Sequence, residues 1–215
     1  MLSINSEIIY AENQSVEIIT GEKMKKSSCS VVQDQELPEY VAIDLSKPKE
    51  AKGTSIRIPA KIVKFPLSME DKNSIDILTR KFDAEEGCAG LAAPQIGISK
   101  KIIIFAVPDD PELKKRRLDL TQTMPKTLWI NPSYQAIGRE MHEDYEGCFS
   151  VKDVVALVKR YKSINYRAFD QDGKMIEGRA EGFLARVIQH EIDHLDGKLF
   201  TDLVAKDKII TTEEY

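Results

Sequence analysis

The segment Gln189-His190-Glu191-Ile192-Asp193-His194 places H-E-x-x-H among apolar residues Phe183, Leu184, Val187, Ile188, Ile192 and Leu195, which recur at three- and four-residue steps. That spacing predicts one helix from Arg179 to about Asp196, ended by Gly197 as a left-handed cap. Histidines four apart lie one above the other on a helix face, so both imidazoles can reach one ion. Glu191 stands about 100° around the axis, beside them. The segment therefore offers two metal ligands and a proton carrier, and the rest of the fold has to close around it. A lone histidine is most often a hydrogen-bonded core residue; two at i and i+4 with a glutamate between point to a metal.

With 215 residues, 42% of them hydrophobic, the chain has material for one domain with a sizeable core. Its net charge of −4 and scattered cations give no broad basic surface, so direct reading of nucleic acid is not expected. The one basic run, Lys114-Lys115-Arg116-Arg117, reads as a solvated loop. Three cysteines, Cys29, Cys88 and Cys148, are odd in number and far apart, which argues for a reducing compartment. The longest convincing apolar stretch, Ile102 to Val107, is far short of the ~18 to 20 residues that span a bilayer, so no membrane is expected. Residues 1 to 30 carry several glutamates and lack the basic start of a leader. A cytoplasmic location follows, an organellar one only if a further targeting segment had been removed.

Residues 1 to 55 alternate short β-like pieces (Glu7 to Tyr10, Val16 to Ile19, Tyr40 to Leu45) with polar spacers and read as an N-terminal extension. Ser68 to about Glu86 has the periodicity of an amphipathic helix, followed by a glycine-bearing loop over Gly87 to Gly97. Strands are expected at Ile102 to Val107, Leu128 to Asn131, Val154 to Val158, Ser163 to Phe169 and Lys174 to Glu177, with a charged excursion over Asp109 to Pro125. Hairpin-length connections and one long late helix make this an α+β arrangement with antiparallel sheets.

A catalytic zinc-type site uses three protein ligands and leaves a position for water. Downstream, Phe200 stands where a third histidine would fall and cannot ligate, and the acidic residues Asp202, Asp207, Glu213 and Glu214 lie near the end of the chain. Upstream, Cys148 follows a glycine beside strand-like sequence, and a Cys with two His is a well-attested set. On spacing alone Cys88 is a rival ligand.

Three segments in order, Gly90-Leu91-Ala92-Ala93-Pro94-Gln95, Glu146-Gly147-Cys148-Phe149-Ser150 and Gln189-His190-Glu191-Ile192-Asp193-His194-Leu195, together resemble the peptide deformylase family over roughly residues 60 to 205. The resemblance implies antiparallel sheets wrapped around a central helix carrying H-E-x-x-H, with residues 56–215 as the catalytic domain. It implies Cys148, His190 and His194 as ligands of one divalent metal, ferrous iron foremost, with zinc, nickel and cobalt also accepted. The implied reaction removes the formyl group from the N-formylmethionine of newly made polypeptides, so the partners are formylated nascent peptides, with transient contact at the ribosome. In that scheme Glu191 moves the proton, and the Gln95 side-chain amide and the Phe149 backbone N–H bind the developing oxyanion. Gly90 and Leu91 bind substrate main chain, and Phe183 and Val187 wall an apolar methionine pocket. Small side chains at Gly90, Ala92 and Ala93 would let a peptide pair here as an added strand.

Two departures stand out. Cys88-Ala89-Gly90 replaces the Gly-aliphatic-Gly of most bacterial members and is similar to the mitochondrial-like branch. Val155 occupies the position of an arginine that contacts substrate in many of them. Arg160 is expected to pair with Glu146 in support of the ligands. Two alternatives are an H-E-x-x-H metallopeptidase, opposed by Phe200 and the upstream cysteine, and a non-catalytic metal-binding relative, which would need neither Glu191 nor Gln95.

Overall fold

The computed structural model describes residues 36–47 and 50–215; the expected strands at Glu7 to Tyr10 and Val16 to Ile19, and Cys29, lie outside them. Helix α1 (Met69–Ala84) starts from a capping box: Ser68 Oγ accepts from Asp71 N at 3.1 Å, and Asp71 Oδ2 accepts from Ser68 N at 3.0 Å. Strands β1 (Gly90–Ala92), β2 (Ile102–Val107), β3 (Met124–Ala136), β4 (Met141–Cys148), β5 (Val151–Tyr161), β6 (Ser163–Phe169), β7 (Met175–Glu181) and β8 (Ile209–Thr211) form two sheets. Their orders are β1-β2-β3-β6-β7 and β4-β5-β8, and every pairing between these strands is antiparallel.

Burial of β2 on both faces explains its unbroken apolar sequence. Ile102 and Ile104 pack with Ile75, Leu78 and Phe82 of α1, whereas Ile103, Phe105 and Val107 pack on the other side with Leu184, Ile188 and Ile192. Those last three belong to α3 (Gly182–Leu195), in which 12 of 14 residues are buried, so its polar side chains must find partners inside the protein. The far side of α3 meets the smaller sheet. Gln189 accepts from Tyr161 N at 3.0 Å and donates to Tyr161 O at 2.9 Å, attaching the helix to the end of β5. The helix is thus enclosed by antiparallel strands, the α+β arrangement expected. Among the described residues no helix is long and apolar enough to cross a membrane.

Four local features differ from the sequence expectation. Helix α3 begins at Gly182 rather than Arg179, because β7 keeps pairing with β6 through Glu181. The charged excursion contains a short helix, α2 (Pro111–Arg116), in which Pro111 occupies the first turn, where its missing N–H costs nothing, and Asp110 caps Leu113 N at 2.6 Å. Strand β4 went unread because only Glu146 is buried along it. Tyr40 to Asp44 joins no strand among the described residues and Leu45 opens a turn, while Ile43 is buried in a core shared with Ile56, Val151 and Phe200.

The change from β7 to α3 has no intervening loop, and it depends on Gly182. Its φ is +56°, and a Cβ there would lie 2.0 Å from the carbonyl oxygen of Asp119. Gly182→Ala is therefore expected to lose more than about 1 kcal/mol of stability, read as a lowered denaturant midpoint. An unchanged midpoint would contradict the account of this junction.

Candidate metal centre

Cys148 closes β4 just after a register shift between Glu146 and Cys148, which re-aims the chain at the strand end. Its sulfur and one nitrogen each from His190 and His194 all lie within 4.8 Å of one another. Cys148 Sγ is 3.4 Å from His194 Nε2. Metal–nitrogen bonds of ~2.0 to 2.1 Å and a metal–sulfur bond of ~2.3 Å at tetrahedral angles put S and N about 3.5 Å apart, so this donor set fits one small divalent cation. Cys88 is not in the cluster. Its Sγ donates to Gly90 O at 3.1 Å, and burial, with the nearby Glu191 carboxylate, pushes its thiol up to about 12, which keeps it neutral. His142 also stands apart, 3.5 Å from Asp119. Phe200, excluded as a ligand, is buried with its ring stacked 6.3 Å from that of His190.

Behind the ligands sits a buried charge network. Glu146 accepts both Arg160 Nε and Arg160 Nη2 at 2.9 Å, Arg186 Nη1 at 2.7 Å, and pairs with His190 Nδ1 at 2.9 Å. Burial favours the neutral acid, but the His190 and Arg160 bonds outweigh it and hold this carboxyl well below the usual range. Burial likewise opposes charge on His190, yet its bonds to Cys148 and Glu146 raise it well above the ordinary value. Burial and the His190 charge hold His194 well below it. Arg160 also pairs with Asp193. Arg186 was missed by the sequence analysis; it donates to Val158 O at 3.0 Å and His142 O at 2.8 Å as well. The one available signal was an arginine inside an apolar helical stripe, four residues before a ligand.

Glu191 is buried, and its Oε2 has no hydrogen-bond partner among the described residues. Burial, with the Glu146 charge adding to it, raises this carboxyl to about 7. A Cβ at Gly90 would lie 2.4 Å from Glu191 Oε1, so the missing side chain at 90 is what gives Glu191 its place. Gln95 Oε1 accepts from Ala92 N at 2.7 Å, which fixes the amide and turns Nε2 toward Cys148 Sγ at 3.4 Å.

These groups border a cavity of about 550 Å³, lined by Gly90, Gln95, Phe149, Phe183, Val187 and Glu191 together with Cys148 and His190. Leu91 does not line it; its side chain is buried in the core under α1, leaving only its backbone for a ligand. Phe183 and Val187 are buried and shared with the core under α3. Val155 pairs with β8 and is absent from the lining. Arg117, the last residue of the basic run, reaches the cavity, pairs with Asp144 and places its guanidinium carbon 4.6 Å from the Phe183 ring centroid.

The polypeptide deformylase family model matches residues 50–209. The chain belongs to the peptide deformylase family. It is 61% identical over 179 residues to peptide deformylase 2 of Rickettsia conorii, spanning 83% of this chain and 89% of that one. It is 45% identical over 118 residues to peptide deformylase 1 of Prochlorococcus marinus, spanning 53% and 57%. The Met-Ala-Ser-bound class I type b peptide deformylase from Acinetobacter baumannii superposes with a TM-score of 0.65 at 28% identity, over 79% of this chain and all (100%) of that one. The peptide deformylase of Ehrlichia chaffeensis gives 0.67 at 26% identity, over 80% and 90%. The activity is peptide deformylation and the protein is a metallohydrolase with a Cys-His-His metal-binding site, which sets aside the metallopeptidase and non-catalytic alternatives.

Removing one partner from a buried ion network leaves an uncompensated charge at a cost of roughly 3 to 5 kcal/mol. Arg186→Met should therefore destabilise the fold by that order in a urea titration, and a loss below about 1 kcal/mol would mean that the network does not depend on it.

Proposed function

We propose that Cys148, His190 and His194 hold one divalent metal, ferrous iron in the working enzyme, and that the cavity beside them receives the formyl end of a nascent peptide. The observation that carries this reading is the convergence of a mid-chain sulfur and two imidazoles on one point, with the buried Glu191 carboxylate beside them, its Oε2 without a partner among the described residues. Residues 56–215 carry these groups as the catalytic domain, and the bacterial relatives support a cytoplasmic site of action. Contact with the ribosome would be transient, made while the formylated chain emerges.

Held by Cys148, His190 and His194, a divalent ion would supply Lewis acidity and would bring the pKa of a water toward ~7. Glu191, its own carboxyl raised into the same range, accepts the proton of that water and returns it to the departing amine, which leaves poorly as an anion. As the formyl carbon becomes tetrahedral, negative charge builds on its oxygen. Gln95 Nε2 and the Phe149 backbone N–H donate to that oxygen, each such donor contributing about 2.7 to 4 kcal/mol of barrier lowering. Among the described residues β1 is the outer strand of its sheet, which supports pairing of the substrate main chain at Gly90 and Leu91. Phe183 and Val187 present apolar surface to the methionine side chain. Glu146 with Arg160 behind it orients His190 through the Nδ1 contact and favours Nε2 for the metal.

The ligand set is tested by metal analysis after dialysis: Cys148→Ala should lose bound metal, and Cys88→Ala should keep it. The reverse pattern would overturn the assignment. Glu191→Ala should retain the metal and the fold yet lose formate release from formyl-Met-Ala-Ser by about 100-fold or more. Turnover near wild type would remove Glu191 from the chemistry.

A further inference from the structure

The stretch Tyr40-Val41-Ala42-Ile43 precedes the residues matched by the family model, which begin at position 50, yet it touches both segments that carry the oxyanion donors. Val41 N donates to Gln95 O at 2.7 Å, and Ile43 N donates to Ser150 O at 2.8 Å. The Tyr40 ring stacks on Phe149 with centroids 5.1 Å apart and planes within 8°. Lys81 Nζ lies 4.4 Å from the centroid of the same Tyr40 ring and is itself paired with Glu85 at 2.7 Å. Residue 149 is thus held by its side chain and residue 150 by its carbonyl, while Gln95 is held by its carbonyl from Val41 and by its Oε1 from Ala92. Tyr40 is not among the residues that line the cavity.

Stabilising an oxyanion depends on donors that are already aimed when the charge develops, because reorienting them during the reaction forfeits the gain. A backbone N–H at a strand end has no rotamer of its own; its direction is set by whatever fixes the neighbouring peptide planes. We propose that Tyr40 is a positioning residue for deformylation: stacked on Phe149, it holds the Phe149 N–H in register with the Gln95 amide, so that both donors meet one oxygen. The proposal rests on the donor assignment made above. Tyr40 acts through the turn after Cys148, and its loss shows in the chemical step rather than in substrate affinity.

The test measures formate release from formyl-Met-Ala-Ser on the full-length protein and on Tyr40→Leu, Tyr40→Ala, Tyr40→Phe, Gln95→Ala and the double variant Tyr40→Leu/Gln95→Ala. Tyr40→Leu and Tyr40→Ala should lower kcat roughly 10- to 100-fold, with KM within about two-fold of wild type and metal content unchanged. Tyr40→Phe keeps the ring and should restore kcat. In the double variant the Tyr40 effect should shrink, since both residues act on one developing charge. Amide hydrogen exchange over residues 148–151 should quicken in Tyr40→Leu and not in Tyr40→Phe. A folded Tyr40→Leu with wild-type kcat, a loss confined to KM or to metal content, or failure of both Tyr40→Leu and Tyr40→Ala to fold would overturn the positioning role. Full kcat in Gln95→Ala would instead show that the donor assignment itself is wrong.

Discussion

One buried carboxylate joins the two parts of the site. Glu146 comes from the strand that delivers Cys148, whereas His190 and Arg186 come from the helix, and Arg160 comes from the neighbouring strand; all three converge on its two oxygens. Taking a carboxylate and two guanidiniums out of water costs several kcal/mol per ion, and only near-complete hydrogen bonding offsets it. The geometry here comes close to that condition: Asp193 completes the Arg160 fork and backbone carbonyls take Nη1 and Nη2 of Arg186, leaving its Nε without a partner among the described residues. The network therefore acts as a distance constraint between sheet and helix, and the sulfur-to-imidazole spacing follows from it.

The opposite side of the helix packs through apolar side chains against β2. Strand β2, buried on both faces, fixes β1 beside it, and β1 brings Gly90 against Glu191. A carboxylate confined there with no partner for one oxygen is poised by desolvation, and the same enclosure that raises its proton affinity keeps bulk water from competing for the proton.

The parts that could be read in the sequence were those whose signal is local. The 3.6-residue period around His190 and His194, the β-branched run at Ile102 to Val107 and the apolar period from Ser68 to about Glu86 each specify their element without help from distant residues. Strand β4 was not legible because Met-His-Glu-Asp-Tyr-Glu-Gly-Cys has no alternating apolar face; it is a strand because β5 pairs with it. Arg186 escaped for a related reason: its partner Glu146 is 40 positions away, and nothing local marks an arginine as buried. Cys88 and Cys148 were indistinguishable by spacing, since chain distance does not say where a strand end points. The family resemblance separated them, and the register shift in β4 is its physical counterpart.

Because β7 runs into α3 without a connecting loop, sheet pairing and helix phase form one gear train. The hydrogen-bond register of β7 with β6 sets where the first helical turn begins, and each residue advances the helix by about 100°. Insertion of a single residue at this joint would swing both imidazoles a quarter-turn past the sulfur, although every ligand would remain in the sequence. The azimuth of the metal ligands is thus encoded in a strand that supplies none of them.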